Sequence, residues 1–236
     1  MPGSPEPAAD APYRLTAPTQ LFPLTRHLSY RLTLLLVQTP ITPNQITALS
    51  MIAGLAGAFC FAFGTWDLSV VGGILLIAGY TLDNCDGEIA RLKKMSSEWG
   101  AHFDDLVDWL VDSAFFAGLG FGTSTATGNM IWLWLGMAAS FGATIDYIID
   151  LILQAKAKRD PAQKTREQEA TNVRKPEDAI DWLIYIFHKL SRADFCVIVL
   201  ALALFDLAWI LLPFGAIGAQ AYWITDLFKR ARGWHT

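Results

Sequence analysis

Charge is scarce in this chain: only 17% of its 236 residues are Asp, Glu, Lys or Arg. An average soluble domain carries about 25%. Cysteine is scarcer still, with Cys60, Cys85 and Cys196 far apart and outside any CxxC or histidine-containing cluster. That excludes a disulfide framework and a zinc site built on them, and gives no reason for an oxidising compartment. Residues 1–18 lack a basic segment followed by a hydrophobic one, so they do not read as a signal peptide. They are rich in Pro and Ala and read as a disordered cytosolic tail. The net charge of -4 gives no sign of nucleic-acid binding. No internal repeat is visible, which leaves an inverted-repeat transporter without support.

Apolar residues are abundant instead. They make up 53% of the chain, 12% being aromatic, and the mean hydropathy is +0.34. The excess sits in long blocks, which argues against both a disordered chain and an ordinary soluble domain. Six spans of roughly 20 residues would use about half the length. The expected fold is an all-α integral membrane protein of six transmembrane helices, occupying 41–232. Before it, 19–40 reads as an interfacial amphipathic helix, because Leu, Phe and Val alternate there with Arg26, His27 and Arg31. An ordinary packed helix is the other reading of that segment.

The expected spans are 44–64, 68–94, 98–121, 129–154, 193–206 and 208–228. A polar stretch occupies 155–178, and 179–190 reads as a second surface helix. Thr42-Pro43-Asn44 opens the first span, Thr as a cap and Pro at the first helical position. All 18 Lys and Arg fall in or beside segments that lie inside if the N-terminus is inside. The outer turns near 65–67, 122–128 and 206–208 contain none. The positive-inside rule then places both termini in the cytoplasm, at the inner membrane in a bacterial cell.

Against this background six aspartates stand out: Asp83 and Asp86, then Asp104, Asp105, Asp108 and Asp112. Ionisable groups inside spans are costly and mark functional sites by default. Asp83 and Asp86 are three apart and share a helix face, as do Asp104 and Asp108, four apart. The two helices are joined by a short inner loop, so the two acidic faces can converge. Four converging carboxylates repel one another and need protons or cations to coexist. Oxygen ligands without His or Cys favour Mg²⁺, Mn²⁺ or Ca²⁺. A pair of such ions on four Asp is a phosphoryl-transfer arrangement. Neutralisation by Arg91, Lys93 and Lys94 would explain Asp83 or Asp86 alone, but not Asp108 and Asp112, which lie deeper.

The full pattern is Asp83-x2-Asp86-Gly87-x2-Ala90-Arg91-x8-Gly100-x3-Asp104-x3-Asp108. It specifies eight residues, so a chance match at a given start is rarer than about one in a billion. It resembles the signature of the CDP-alcohol phosphotransferase family. Gly87 and Ala90 lack bulk, so a pyrophosphate could approach the backbone. Arg91 offers a planar fork for phosphate, and Gly100 can let the second and third spans come close.

The resemblance implies that Asp83, Asp86, Asp104 and Asp108 hold two divalent ions, Mg²⁺ or Mn²⁺. It implies that Asp108 is the general base, and that the protein is a homodimer. Asn44 and Thr47 resemble a Pro-Asn-x-x-Thr stretch that lies near the cytidine in the family; a helix-start Asn and a Thr bonding its own backbone is the plainer reading. The stretch 39–44 also resembles members acting on inositol-type alcohols.

For the acceptor, Lys189, Arg192 and Asp194 would line a pocket at the inner start of the fifth span. Positive-inside anchoring explains the two basic residues equally well. Asp112 would contact acceptor hydroxyls, or be protonated and bonded to a neighbouring helix. Asp146 and Asp150 would line the same cavity, and His102 would make a loop-side contact.

The implied reaction moves a substituted phosphate from CDP-diacylglycerol to an acceptor alcohol within the membrane lipid, releasing CMP, in phospholipid biosynthesis. The alternatives are transfer from a soluble CDP-alcohol to a lipid hydroxyl and, in another class, a cation or proton transporter.

Overall fold

The computed structural model describes residues 15–19, 23–159 and 195–233. Its helices are α1 (Leu24–Leu36), α2 (Pro43–Phe61), α3 (Trp66–Leu92), α4 (Glu98–Thr127), α5 (Ile131–Arg159), α6 (Phe195–Leu204) and α7 (Leu211–Gly233). A 3₁₀ turn, Ala208–Ile210, precedes α7.

The expected count of six spans is not met. Among the described residues, three helices are long and apolar enough to cross a membrane: Pro43–Phe61, Trp66–Leu92 and Ile131–Lys156. The 30-residue α4 is long enough, but Glu98 and four aspartates lie within its first half. Of the expected fifth span, the described residues hold the ten of α6, and the described apolar stretch of the sixth, Ala208–Ala221, is also short. The surface helix expected at 179–190 lies outside the described residues, as do Lys189, Arg192 and Asp194.

The local chemistry of the helix ends matches the sequence. Thr42 precedes α2, its backbone N–H donating 3.0 Å to Gln45 Oε1, with Pro43 at the first helical position. Ser97 caps α4, its hydroxyl accepting from the Gly100 N–H at 3.0 Å. Between α3 and α4 the chain turns through Lys94, whose φ of 55° is left-handed, and Met95 N–H returns 2.8 Å to Ala90 O. This tight reversal makes α3 and α4 antiparallel and keeps the two halves of the aspartate pattern at one end of the bundle.

The centre is α2, which packs against both α3 and α4. Beyond it α5 lies on α4, α7 on α5, and both α6 and α1 on α3. Phe61, Leu76, Val107, Phe115, Val199 and Leu212 form the heart of the core, with Phe61 and Phe115 edge-to-face at 5.1 Å. Small residues bring α2 and α3 together: a Cβ on Gly72 would lie 2.8 Å from Gly57 O, and one on Gly57 would lie 2.9 Å from Gly72 O. Neither backbone can yield locally. Gly72→Val should therefore cost about 1–3 kcal/mol. Thermal unfolding in detergent should show a fall of about 2–4 °C per kcal/mol for a chain of this size. An unchanged melting temperature would mean that the two helices are not in backbone contact.

Candidate active site

The reversal after α3 sets its last turns beside the first turns of α4, and the start of α2 closes over both. Carboxylate oxygens of Asp83, Asp86 and Asp104 come within 4.8 Å of one another. Asp86 is buried and the other two are half-buried. Asp83 Oδ1 and Asp104 Oδ1 are buried with no hydrogen-bond partner among the described residues. Orphaned carboxylate oxygens facing each other are costly without a counter-charge. They form the donor set of a hard divalent cation, all oxygen and all anionic. The residues thus fit the metal expected from the sequence.

Asp108 lies one turn deeper on α4 and is exposed. It lines two cavities. One is small and narrow, bounded by Ser50, Gly54, Tyr80, Asp83, Asp108 and Asp112. The other, about 320 Å³, lies between α4 and α5 and includes Asp105, Asp108, Asp112, Asp146, Asp150 and Gln154. Trp109 and Tyr147, stacked at 5.1 Å, line the larger cavity too. Asp108 is therefore reachable both from the aspartate cluster and from open space.

The remaining expected residues divide. Thr47 is buried in the first turns of α2, and its hydroxyl donates to Pro43 O at 3.1 Å and to the Asp86 carboxylate. Thr47 thus bonds its own backbone, as the plainer reading has it, and it also reaches the acidic site. Asn44 and Gly100 face each other, since a Cβ on Gly100 would lie 3.2 Å from Asn44 Oδ1. Gly100 thus brings α4 against α2, where the sequence suggested approach of the second and third spans. The nearest neighbour that a Cβ on Gly87 would meet is the Arg91 guanidinium, 3.4 Å away, with no backbone closer among the described residues. Arg91 is exposed and Ala90 half-buried beside it. Asp112 accepts from Tyr80 Oη–H at 2.8 Å, which matches its reading as a group bonded to a neighbouring helix. Asp146 and Asp150 line the larger cavity as expected.

Tyr80, Ser50 and Gln154 were not singled out in the sequence. Tyr80 precedes Asp83 by three residues and Ser50 follows Thr47 by three, so helical spacing was the available signal. Gln154 Nε2 donates 3.1 Å to Asp105 Oδ2, which ties α5 to α4 at the cavity edge.

Residues 40–225 match the family described as CDP-alcohol phosphatidyltransferase. The chain belongs to this family. Over 122 residues it is 34% identical to the bifunctional IPC transferase and DIPP synthase of Aquifex aeolicus (strain VF5), covering 52% of this chain and 27% of that protein. The same-named protein of Thermococcus kodakarensis is 32% identical over 122 residues, 52% of this chain and 26% of its own length. The archaetidylinositol phosphate synthase of Pyrococcus horikoshii is 32% identical over 82 residues, 35% of this chain and 42% of that protein. The match therefore spans about a quarter of the first two relatives and under half of the third.

The fold is similar to the crystal structure of Mycobacterium tuberculosis phosphatidylinositol phosphate synthase with CDP-DAG bound. There the TM-score is 0.51 at 19% identity, covering 84% of this chain and 91% of that one. The apo form of that protein gives 0.51 at 21% identity, covering 84% and 95%.

Mutual repulsion in the cluster predicts a crossing of stabilities. In EDTA, Asp83→Asn should melt above the wild type, because one of the crowded charges is gone. Adding Mn²⁺ in about hundredfold excess over its dissociation constant should stabilise the wild type by about 2.7 kcal/mol and the variant by much less. Thermal scans with and without Mn²⁺ decide the matter, and parallel curves for the two proteins would refute a metal site on Asp83.

Proposed function

We propose that the protein transfers a substituted phosphate from CDP-diacylglycerol to an acceptor alcohol and releases CMP, a reaction of phospholipid biosynthesis. The convergence of Asp83, Asp86 and Asp104 within 4.8 Å, in a chain of this family, carries the reading. The domain extends over 41–232 in this reading, with the active site and both termini on the cytoplasmic side and two copies forming a homodimer.

Each group in the site has a task. Asn44 and Thr47 at the start of α2, with Gly87, Ala90, Arg91 and Gly100, take the cytidine pyrophosphate. Gly87, having no side chain, admits phosphate to the backbone, and the exposed Arg91 supplies a planar fork of donors. Two divalent ions, Mg²⁺ or Mn²⁺, held by Asp83, Asp86, Asp104 and Asp108, would supply the charge that offsets the pyrophosphate and the departing CMP. Thr47 holds the Asp86 carboxylate in place through its hydroxyl.

Asp108 takes the proton from the acceptor hydroxyl. The acceptor oxygen attacks the β-phosphorus, which carries the diacylglycerol. A new P–O bond forms as the bridging P–O bond breaks, and its electron pair leaves with CMP. The acceptor enters through the cavity of about 320 Å³, which Asp108 shares with Asp112, Asp146 and Tyr147. Lys189 and Arg192 belong to the acceptor side in this reading. The names of two similar proteins, archaetidylinositol phosphate synthase and phosphatidylinositol phosphate synthase, put inositol-type alcohols first among candidate acceptors.

The test is CMP release by the purified protein in lipid vesicles holding CDP-diacylglycerol, Mn²⁺ or Mg²⁺, and a panel of alcohols. Release with one alcohol, abolished by EDTA, is the expected result. Asp108→Asn should lower kcat by about 10²–10⁴, the range of a lost general base. Release only from a soluble CDP-alcohol with a lipid acceptor would reverse donor and acceptor. No release with either donor would reject the reaction.

A further inference from the structure

Glu88 lies inside the aspartate pattern, two residues after Asp86, yet the proposed chemistry gives it no task. It is buried, with 9% of its surface exposed. Two residues along a helix is more than half a turn, so Glu88 faces away from Asp86. On that far side lies α1. Thr33 Oγ1 donates 2.6 Å to Glu88 Oε2, and Ser29 Oγ lies 3.4 Å from Oε1. Cys85, three residues earlier on the same face, donates through Sγ to Ser29 O at 3.6 Å.

This explains an inversion in α1. Its polar stripe Thr25, Ser29 and Thr33 is buried, while Leu28 and Leu35 are 47% and 67% exposed. The Ser29 and Thr33 hydroxyls face inward because the Glu88 carboxylate there accepts from them, and burying that carboxylate otherwise carries a large penalty. A second tie follows α1 along the chain. Lys93 Nζ, just past the end of α3, donates to Thr39 O at 2.6 Å and Ile41 O at 2.8 Å. These carbonyls belong to the linker that feeds α2, where Asn44 and Thr47 begin the site. The front of α3 is joined to α2 by Thr47 and Asp86.

We propose that Glu88, seconded by Lys93, is a positioning residue. It fastens α1 and its linker to the back of α3 and so holds the start of α2, with Thr47, against Asp86. The importance of that placement for transfer rests on the proposed reaction, but the placement itself is measurable without it.

The experiment measures Mn²⁺ affinity by the EPR signal of free Mn²⁺, together with deuterium uptake across 24–47, on full-length protein in lipid nanodiscs. Glu88→Ala should raise uptake in α1 and at the start of α2 and weaken Mn²⁺ binding by about tenfold, the lower end of what outer partners of metal ligands contribute. Glu88→Gln, which still accepts from a hydroxyl, should restore most of the affinity. Thr33→Val keeps the side-chain shape while removing one donor. It should shift both readouts in the same direction, and it serves if Glu88→Ala does not fold.

Mn²⁺ affinity unchanged in whichever of the Glu88→Ala and Thr33→Val proteins fold would overturn the proposal, whatever happens to α1. Equal losses in Glu88→Gln and Glu88→Ala would overturn it too, since the charge and not the tether would then matter. If the wild type binds Mn²⁺ but releases no CMP, the proposed reaction falls, and the Mn²⁺ comparison still decides the role of Glu88.

Discussion

Repulsion among the carboxylates at the junction of α3 and α4 is the constraint around which the rest is built. Asp83, Asp86 and Asp104 are held closer than free carboxylates would choose, with oxygens within 4.8 Å and two of them orphaned. A bundle held only by side-chain packing would relax by letting one helix slide or rotate. The small-residue contact of α2 with α3 resists sliding, because backbone meets backbone at Gly57 and Gly72. The tight reversal through Lys94 resists separation of α3 from α4. The site is thus assembled by elements that gain elsewhere what the carboxylates lose locally, which is the usual condition for a strained functional arrangement.

The same constraint accounts for the span count. Helix α4 carries its acids in the first half and its apolar residues, Phe115, Phe116 and Leu119, in the second. A hydropathy reading of 98–121 as one apolar span averages two regions with different surroundings. The first turns its acids toward a polar cavity while Val107 and Val111 reach the core, and the second packs Phe115 and Leu119 against the core. Charge within a helix is tolerated where the helix faces protein or a water-filled space rather than lipid. Reading 98–121 as one apolar span therefore overcounted.

Much of the site was legible because its chemistry is local. The spacing of Asp83 with Asp86 and of Asp104 with Asp108 follows from the helical repeat, and the short loop between α3 and α4 makes the two pairs meet. Helix α1 was legible as a helix at Leu24–Leu36, inside the expected 19–40, but its inward face was not. Thr25, Ser29 and Thr33 recur every four residues, and Leu28, Leu32 and Leu36 do the same. Leu32 and Leu36 do pack against the buried Ile46, Cys85 and Ile89; that the hydroxyl stripe turns inward as well is not shown by periodicity, because its partner Glu88 lies 55 residues away from Thr33. Tyr80 was missed for the same reason: its partner Asp112 is on another helix.

Helix α3 is the element on which α1, α2 and α6 all pack. Asp83 and Asp86 face α4 and α2, Tyr80 reaches Asp112, Cys85 and Glu88 face α1, and Gly73 abuts Leu200 of α6. A rotation of α3 by one residue's worth of turn, about 100°, would break all of these contacts together. Asp86 is also supported directly, by the Thr47 hydroxyl at the start of α2. The α3 aspartates, Asp83 and Asp86, thus owe their orientation also to the contacts that α3 makes with α1 and α6.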